Sequence, residues 1–391
     1  MFSHRLFRIM RALVIGCGRM GSAAAEDLAK RMGDVEVFVA DKDADKAKET
    51  ARKIGKSNIK WFQLDASNRS ELLNALKDFD MVLGFLPPKF GFNLIEACIK
   101  TGKNLVDVSY MPENPLVLHD KAVEADVTIV PSCGLAPGIS NILVGHAYAE
   151  LDKTSKVHIM VGGLPETPIP PLGYVITWSP ESLIDEYTCK ARIIKDGKIV
   201  EVEALEGLEE VEFPEIGRLE AFYTDGLRTL LYTVKGVEEM WEKTLRYPGH
   251  AEKVRLLRDL GFFSDEEFSI EGHRIQPRKL TAKLFEKTLV KPDVRDIVVL
   301  KVDVFGLKGG REMRYIYKLV DFYDEKNGVT AMARTTAYTV SIVAALILTG
   351  EIRLRGVVPP EMLGMEDRIY KRIVAELNSR GVKITEEICS E

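Results

Sequence analysis

The sequence predicts an α/β chain: an N-terminal doubly wound parallel sheet, a second α+β domain with a mixed or antiparallel sheet, and a C-terminal helix returning to the first domain. Three observations predict it. Short apolar runs alternate with helical stretches from Ala12 to Ser132, a glycine-rich turn joins the first run to the first helix, and long alternating strands take over after Asn141.

The elements follow in order. "ALVIG" (12–16) is a buried strand, "GSAAAEDLAKRM" (21–32) a helix, "VEVFVAD" (35–41) a strand, "ADKAKETARKIG" (44–55) a helix and "IKWFQLD" (59–65) a strand. A helix at 69–77, the strand "DMVLGFL" (80–86), a helix at 91–101, the strand "NLVDVS" (104–109), a helix at 114–124 and the strand "VTIVPS" (127–132) complete the first domain, 1–133. The strands are continuous apolar runs, as expected when helices cover both faces of a parallel sheet. "SCGLAPGISN" (132–141) then turns the chain out of this sheet, with Gly134, Pro137 and Gly138 in structural roles.

The second domain, 134–330, contains the strands 156–164, 174–179, 190–205, 296–307 and 311–324, with a hairpin turn at Asp196-Gly197. A helical block is expected over 236–288. "AMARTTAYTVSIVAALILTG" is a long apolar helix stopped by Gly350, and 331–391 is expected to rejoin the first domain.

Composition excludes several classes. The 391 residues suit two or three domains at about 150 residues each. A net charge of -5 provides no basic field for nucleic acid or anionic lipid. The five cysteines are scattered, with no CxxC pair and no zinc spacing, which points to a reducing cytoplasm and no metal. Residues 1–9 read as a loose extension rather than a signal peptide. The apolar run Ala337–Thr349 is shorter than the roughly 20 residues a membrane span needs, so a buried core helix is expected.

"GCGRMG" places Gly16, Gly18 and Gly21 in G-x-G-x-x-G spacing between a strand and a helix. The first glycine allows the tight turn, the second lets backbone approach a pyrophosphate, and the third lets helix and strand pack. Arg19 and Met20 complete the turn. Asp41, ending the second strand, is placed to accept hydrogen bonds from the adenosine ribose and to repel a 2′-phosphate, which favours NAD over NADP. The neighbouring Lys42 keeps NADP open. Asp65 and Ala66, Leu86 and Pro87, and Asp107, Ser109 and Tyr110 follow successive strands and are expected along the same groove. Asp65 could equally be a turn cap.

Together with "ACIKTGKNLVDVSY", "GLAPGISN", "TWSPESL" and "LRYPGH", this turn makes the chain resemble the saccharopine dehydrogenase-like family, from Arg11 to about Gly364. The resemblance implies a Rossmann domain, a second domain with substrate and dimer contacts (hence a homodimer), and a C-terminal return. It also implies a small amino-acid substrate. Two positions depart from the family's saccharopine branch: Ala136 stands where that branch has an acid, and Glu181 where it has an arginine. An acid there favours an ammonium over a carboxylate. The implied reaction is NAD-dependent oxidation of L-lysine at its 6-amino group, with saccharopine or a carboxylated polyamine as the alternative substrate. A non-catalytic NAD-binding protein is the third reading.

The catalytic candidates are Glu181 and His250, and the substrate-binding candidates are Tyr110, Tyr223, Thr224, Asp225, Arg228 and Arg246. A histidine titrates in the useful range, and an arginine fork suits a carboxylate. Each has a structural alternative: a solvated helix start for Glu181, a packed side chain for His250, an ion pair for Arg246 and a turn cap for Asp225.

Overall fold

The computed structural model describes residues 9–177, 179–291 and 294–390. Two compact units emerge: residues up to Ile139 together with Ala333–Arg380, and Ser140–Met332 together with the residues from Gly381 onward.

The first unit opens with β1 (Met10–Ile15), α1 (Arg19–Arg31), β2 (Val35–Asp41), α2 (Ala44–Ile54), β3 (Ile59–Gln63) and α3 (Arg69–Leu76). It continues with β4 (Met81–Gly84), α4 (Pro88–Thr101), β5 (Asn104–Asp107), α5 (His119–Glu124) and β6 (Thr128–Val130). The helices begin and end where side chains can satisfy their free backbone groups. Asp43 accepts from the N–H groups of Asp45 and Lys46 at the start of α2, and Gly55 ends that helix at φ +60°. Asn68 caps α3 in the same way. The parallel sheet runs β6-β5-β4-β1-β2-β3, so strand order reverses about β1 and β4. Leu13, Ile15, Val82, Leu105 and Ile129 fill its core. This is the expected doubly wound sheet.

The second unit begins with α6 (Ile139–Glu150), which starts at the unit boundary. It is followed by β7 (Lys153–Pro165), α7 (Pro180–Thr188), β8 (Ala191–Lys195), β9 (Lys198–Val202), β10 (Glu209–Phe213) and β11 (Gly217–Tyr223). Next come α8 (Leu230–Thr233), β12 (Glu239–Arg246), α9 (His250–Asp259), β13 (Phe268–Ile270), β14 (His273–Ile275), α10 (Pro277–Leu289), β15 (Asp296–Lys308) and β16 (Arg311–Phe322). The chain then forms α11 (Ala331–Leu348), β17 (Gly356–Val357), α12 (Pro360–Met365), α13 (Asp367–Ser379) and β18 (Ile384–Ser390). β17 extends the first sheet beside β6. The second sheet runs β10-β11-β12-β7-β15-β16-β18, with β8 and β9 attached through β12, and it is mixed: β12 and β7 are parallel, the other pairs antiparallel.

Four expectations need correction. The 236–288 block is not uniformly helical, because β12 runs through it as an interior strand. Residues 174–177 form no strand; Tyr174, Val175 and Ile176 are buried as a loop, and Trp178 lies outside the described residues. The charge run 195–212, whose composition reads as a solvated hairpin and loop, contributes β10 to the sheet as well as the hairpin. The end of the chain does not all rejoin the first unit, since β18 pairs antiparallel with β16. The hairpin turn itself is as expected: Asp196 and Gly197 both have positive φ, the geometry that matches strand twist.

α11 is long and apolar enough to cross a membrane by length and composition, yet Ala337, Val340, Val343 and Ala344 are buried within the fold, as a core helix requires. Its start is capped from β15. Asp296, 1% exposed, accepts from the N–H groups of Ala331 at 2.6 Å and Met332 at 2.9 Å. Asp296→Ala takes this acceptor from the buried Ala331 N–H and the half-buried Met332 N–H and should cost about 1–3 kcal/mol. That loss should be read as a lower urea midpoint at an unchanged m-value; an unchanged midpoint would refute the capping role.

Candidate functional site

Sequence-predicted residues gather in two places, one in each unit. In the first unit, the turn after β1 holds the glycines as expected. Gly16 has φ +103°, and a Cβ there would come within 2.5 Å of the Phe85 carbonyl oxygen. A Cβ on Gly21 would overlap the Gly16 carbonyl. Gly18 is different: no atom of the described residues lies within 4 Å of where its Cβ would stand. It is the N-cap of α1 and provides no side-chain capping bond. Arg19 and Met20 form the first helical positions. A helix start whose N-cap glycine brings no side-chain acceptor, reached over an open backbone, suits an anion.

Asp41 anchors this turn. Its Oδ2 accepts from the Cys17 N–H at 2.8 Å and its Oδ1 from the Asp43 N–H at 3.0 Å. A carboxylate has about four lone-pair sites, so each oxygen retains capacity for a ribose hydroxyl. The turn, the open glycine and this acid fit a dinucleotide.

The other strand ends serve the loops more than the groove. Asp65 accepts from the Ser67 N–H and hydroxyl, bonds that hold its pKa low, and so forms a turn cap. Ala66 follows it in the turn. Leu86 and Pro87 lead into α4, and the Leu86 carbonyl accepts from Ser109 at 3.3 Å. Asp107 is fully buried, and burial raises its pKa to about 7 against the lowering effect of the Ser109 bonds. Its carboxyl lies over Gly84, where a Cβ would overlap it. Its expected groove role is therefore corrected: Asp107 and Ser109 hold each other and shape the strand end. Tyr110 follows in the loop, half-buried. The 132–141 turn closes on itself, with Gly134 N–H to the Pro137 carbonyl at 2.9 Å and Ile139 N–H to the Gly134 carbonyl at 3.0 Å.

The second unit assembles a buried polar cluster on one face of β12. Side chains alternate along a strand, so Glu242, Thr244 and Arg246 share a face. Arg246, 3% exposed, donates from Nη2 to Glu186 Oε1 at 2.6 Å and lies 4.4 Å from the Tyr174 ring centroid. Its Nε is buried with no hydrogen-bond partner among the described residues. Burial pushes the Glu186 pKa up, and Arg246 pulls it back. The loop after β11 adds Asp225, which binds Arg192 through two side-chain hydrogen bonds at 3.0 and 2.8 Å and sits 3.3 Å from Arg228. Thr224 shares a hydroxyl hydrogen bond with Thr244 at 3.0 Å.

Three expected residues change role. His250 is buried at the start of α9: its Nδ1 faces the Leu172 carbonyl at 2.9 Å and its Nε2 the Tyr187 hydroxyl at 2.8 Å. A carbonyl only accepts, so Nδ1 carries the proton and Tyr187 donates to Nε2. Burial, with Arg246 nearby, lowers its pKa to about 3. It is a neutral packing and bonding group rather than an acid–base catalyst. Tyr223 points to the opposite face of the sheet, packing edge-on to Trp241 at 6.2 Å with Lys243 4.7 Å from its ring centroid. Glu181 is exposed in the first turn of α7, bonded to the Ser179 hydroxyl at 3.1 Å, and is not part of the buried cluster. Sequence reasoning missed Glu186 and Glu242; only their burial distinguishes them from solvated acids.

The parallel sheet, its reversal point and the glycine turn define a pyridine-nucleotide-dependent oxidoreductase fold. The model of the saccharopine dehydrogenase NADP binding domain matches residues 12–130, and that of the saccharopine dehydrogenase C-terminal domain matches residues 134–382. The chain belongs to the saccharopine dehydrogenase family. It is 27% identical to the NADP(+), L-glutamate-forming saccharopine dehydrogenase of Saccharomyces cerevisiae, over 92% of this chain and 96% of that protein. Alpha-aminoadipic semialdehyde synthase of Arabidopsis thaliana is 26% identical over 96% of this chain, which spans only 44% of that protein's length. Carboxyaminopropylagmatine dehydrogenase of Synechocystis sp. is 22% identical over 89% of this chain and 91% of that protein. The apo saccharopine dehydrogenase structure from S. cerevisiae superposes with a TM-score of 0.78 at 24% identity, covering 97% of this chain and all of that one, and shares the fold.

The His250 geometry predicts a pH dependence of stability. The ring is protonated below about pH 6.5 in the unfolded chain and only below about pH 3 in the folded one. The unfolded state therefore binds more protons in that window, and this contribution to stability is lost as pH falls, by up to about 1.4 kcal/mol per unit. His250→Gln should flatten that part of a urea-denaturation pH profile; an unchanged slope would refute the assignment.

Proposed function

We propose that this chain catalyses NAD-dependent oxidative deamination of L-lysine at its 6-amino group, the reaction of an L-lysine 6-dehydrogenase. Lysine, NAD and water give 2-aminoadipate 6-semialdehyde, ammonia, NADH and a proton, and the semialdehyde cyclises to piperideine-6-carboxylate. The observation that carries this reading is the mixed-sign cluster in the second unit. It offers arginines for an amino acid's carboxylate and carboxyls for an additional ammonium.

Bound NAD would supply the acceptor for the hydride lost from the ε-carbon. The start of α1 and the Gly18 backbone would hold its pyrophosphate, and Asp41 the adenosine ribose hydroxyls. A carboxylate at that position disfavours a 2′-phosphate, which supports NAD. On the substrate side, Arg228 and Arg246 are the candidates for binding the α-carboxylate. Hydride leaves the carbon only when the neighbouring amine is uncharged, so the ammonium must be held beside a group able to accept its proton. His250 does not meet that need, because Tyr187 occupies its Nε2.

A second reading, saccharopine or a carboxylated polyamine as substrate with NADP, draws on the printed names of the relatives. Purified chain assayed at alkaline pH should reduce NAD with L-lysine and release ammonia. Reduction only with saccharopine, only with NADP, or with no amine at all would overturn the proposal. Asp41→Ala should raise KM for NAD about tenfold or more while changing that for NADP much less. Equal effects on both cofactors would count against the ribose role.

A further inference from the structure

Among the described residues, the cluster contains one acid that no ion pair uses. Glu242 is buried midway along β12, and its Oε2 has no hydrogen-bond partner among the described residues. Its neighbours are differently placed: Glu186 holds Arg246, and Asp225 holds Arg192 and faces Arg228. The Glu242 carboxyl packs directly on Gly226, where any Cβ would overlap it. Glycine at 226 is therefore what makes room for the acid. Leaving a buried carboxyl oxygen without a partner is unfavourable, so such a group in a cluster of binding residues points to an incoming partner.

We propose that Glu242, seated on Gly226 beside Asp225, Arg228 and Glu186, is the anchor for the side-chain ammonium of the substrate. The inference rests on the amine reading given above and assigns to a buried residue the task that the sequence pattern assigned to Glu181. A primary ammonium brings a positive charge and three N–H donors. It compensates an acid that the arginines of the cluster leave unpaired.

The charged groups acting on Glu242 come from two elements: Arg228 and Asp225 from the loop after β11, and Glu186, itself paired with Arg246, from α7. Burial raises its pKa to about 8, Arg228 opposes the rise, and Asp225 and Glu186 add to it. Near neutral pH the empty site therefore holds a protonated acid. As the ammonium seats, the Glu242 O–H bond breaks heterolytically, the electron pair stays on the carboxylate and the proton passes to solvent. Nothing is oxidised or reduced.

Titration calorimetry of L-lysine into the full chain with the reduced nucleotide NADH present, which cannot accept a hydride, near neutral pH and in two buffers of different ionisation enthalpy, counts that proton. Wild type should release about one proton per lysine and far less with norleucine, which lacks only the side-chain ammonium. Glu242→Gln should weaken lysine binding about tenfold or more, abolish the release and leave norleucine binding within about twofold. Lysine binding by wild type without proton release, or lysine binding by Glu242→Gln at wild-type affinity, overturns the proposal. The wild-type proton count stands even if the variant does not fold. If wild type binds no lysine, the functional reading fails and this proposal with it; if lysine binds and turns over normally but the Glu242 effects are absent, only this proposal fails.

Discussion

The Arg246 guanidinium is held where water is excluded, and the polar architecture of the second unit is organised around that fact. A buried cation needs an anion and a set of acceptors. Glu186 on α7 supplies the anion, the Leu245 carbonyl accepts from Nη1, and the Tyr174 ring covers the face of the fork. These demands bring α7, β12 and the loop at 174 to one place. Tyr187, next to Glu186 in sequence, then meets His250 and aligns the start of α9. The N-terminus of that helix is held by Glu220, which accepts from the N–H groups of Gly249 and Ala251.

The first unit obeys a simpler constraint. All its sheet strands run parallel, so their carboxyl ends lie along one edge, and the order reverses between β1 and β4. The glycine turn sits at that reversal. Its close contacts with Phe85 leave no tolerance at Gly16, while the open side of Gly18 leaves room for a ligand. Asp41 ties the turn to β2 and keeps lone-pair capacity on both carboxylate oxygens.

Legibility in the sequence followed from these differences. Strands covered on both faces are apolar throughout, and β1, β4, β5 and β6 stand out as unbroken runs. β12 carries Glu239, Glu242, Lys243 and Arg246, a pattern that resembles a helix with charged faces. It is an interior strand because its charges are paired or covered by partners distant in sequence. "YVITWS" has the composition of a strand, but Tyr174 is engaged by Arg246 and His250 instead of a sheet neighbour. β18 was not legible either, since its exposed, acidic residues gain a place only by adding to the β16 edge.

By itself the sequence determined the dinucleotide half: spacing, turn chemistry and apolar runs are local properties, and the helix caps and glycines follow from residue type. It also identified the family through motifs that are contiguous in the chain. Only the tertiary structure decided which charged residues are buried. Strand alternation sent Tyr223 to one face and placed Glu242 with Arg246 on the other. Packing made His250 neutral and left Glu181 in solvent. An acid reads the same in sequence whether water or protein surrounds it, and burial alone sets Glu186 and Glu242 apart from solvated acids.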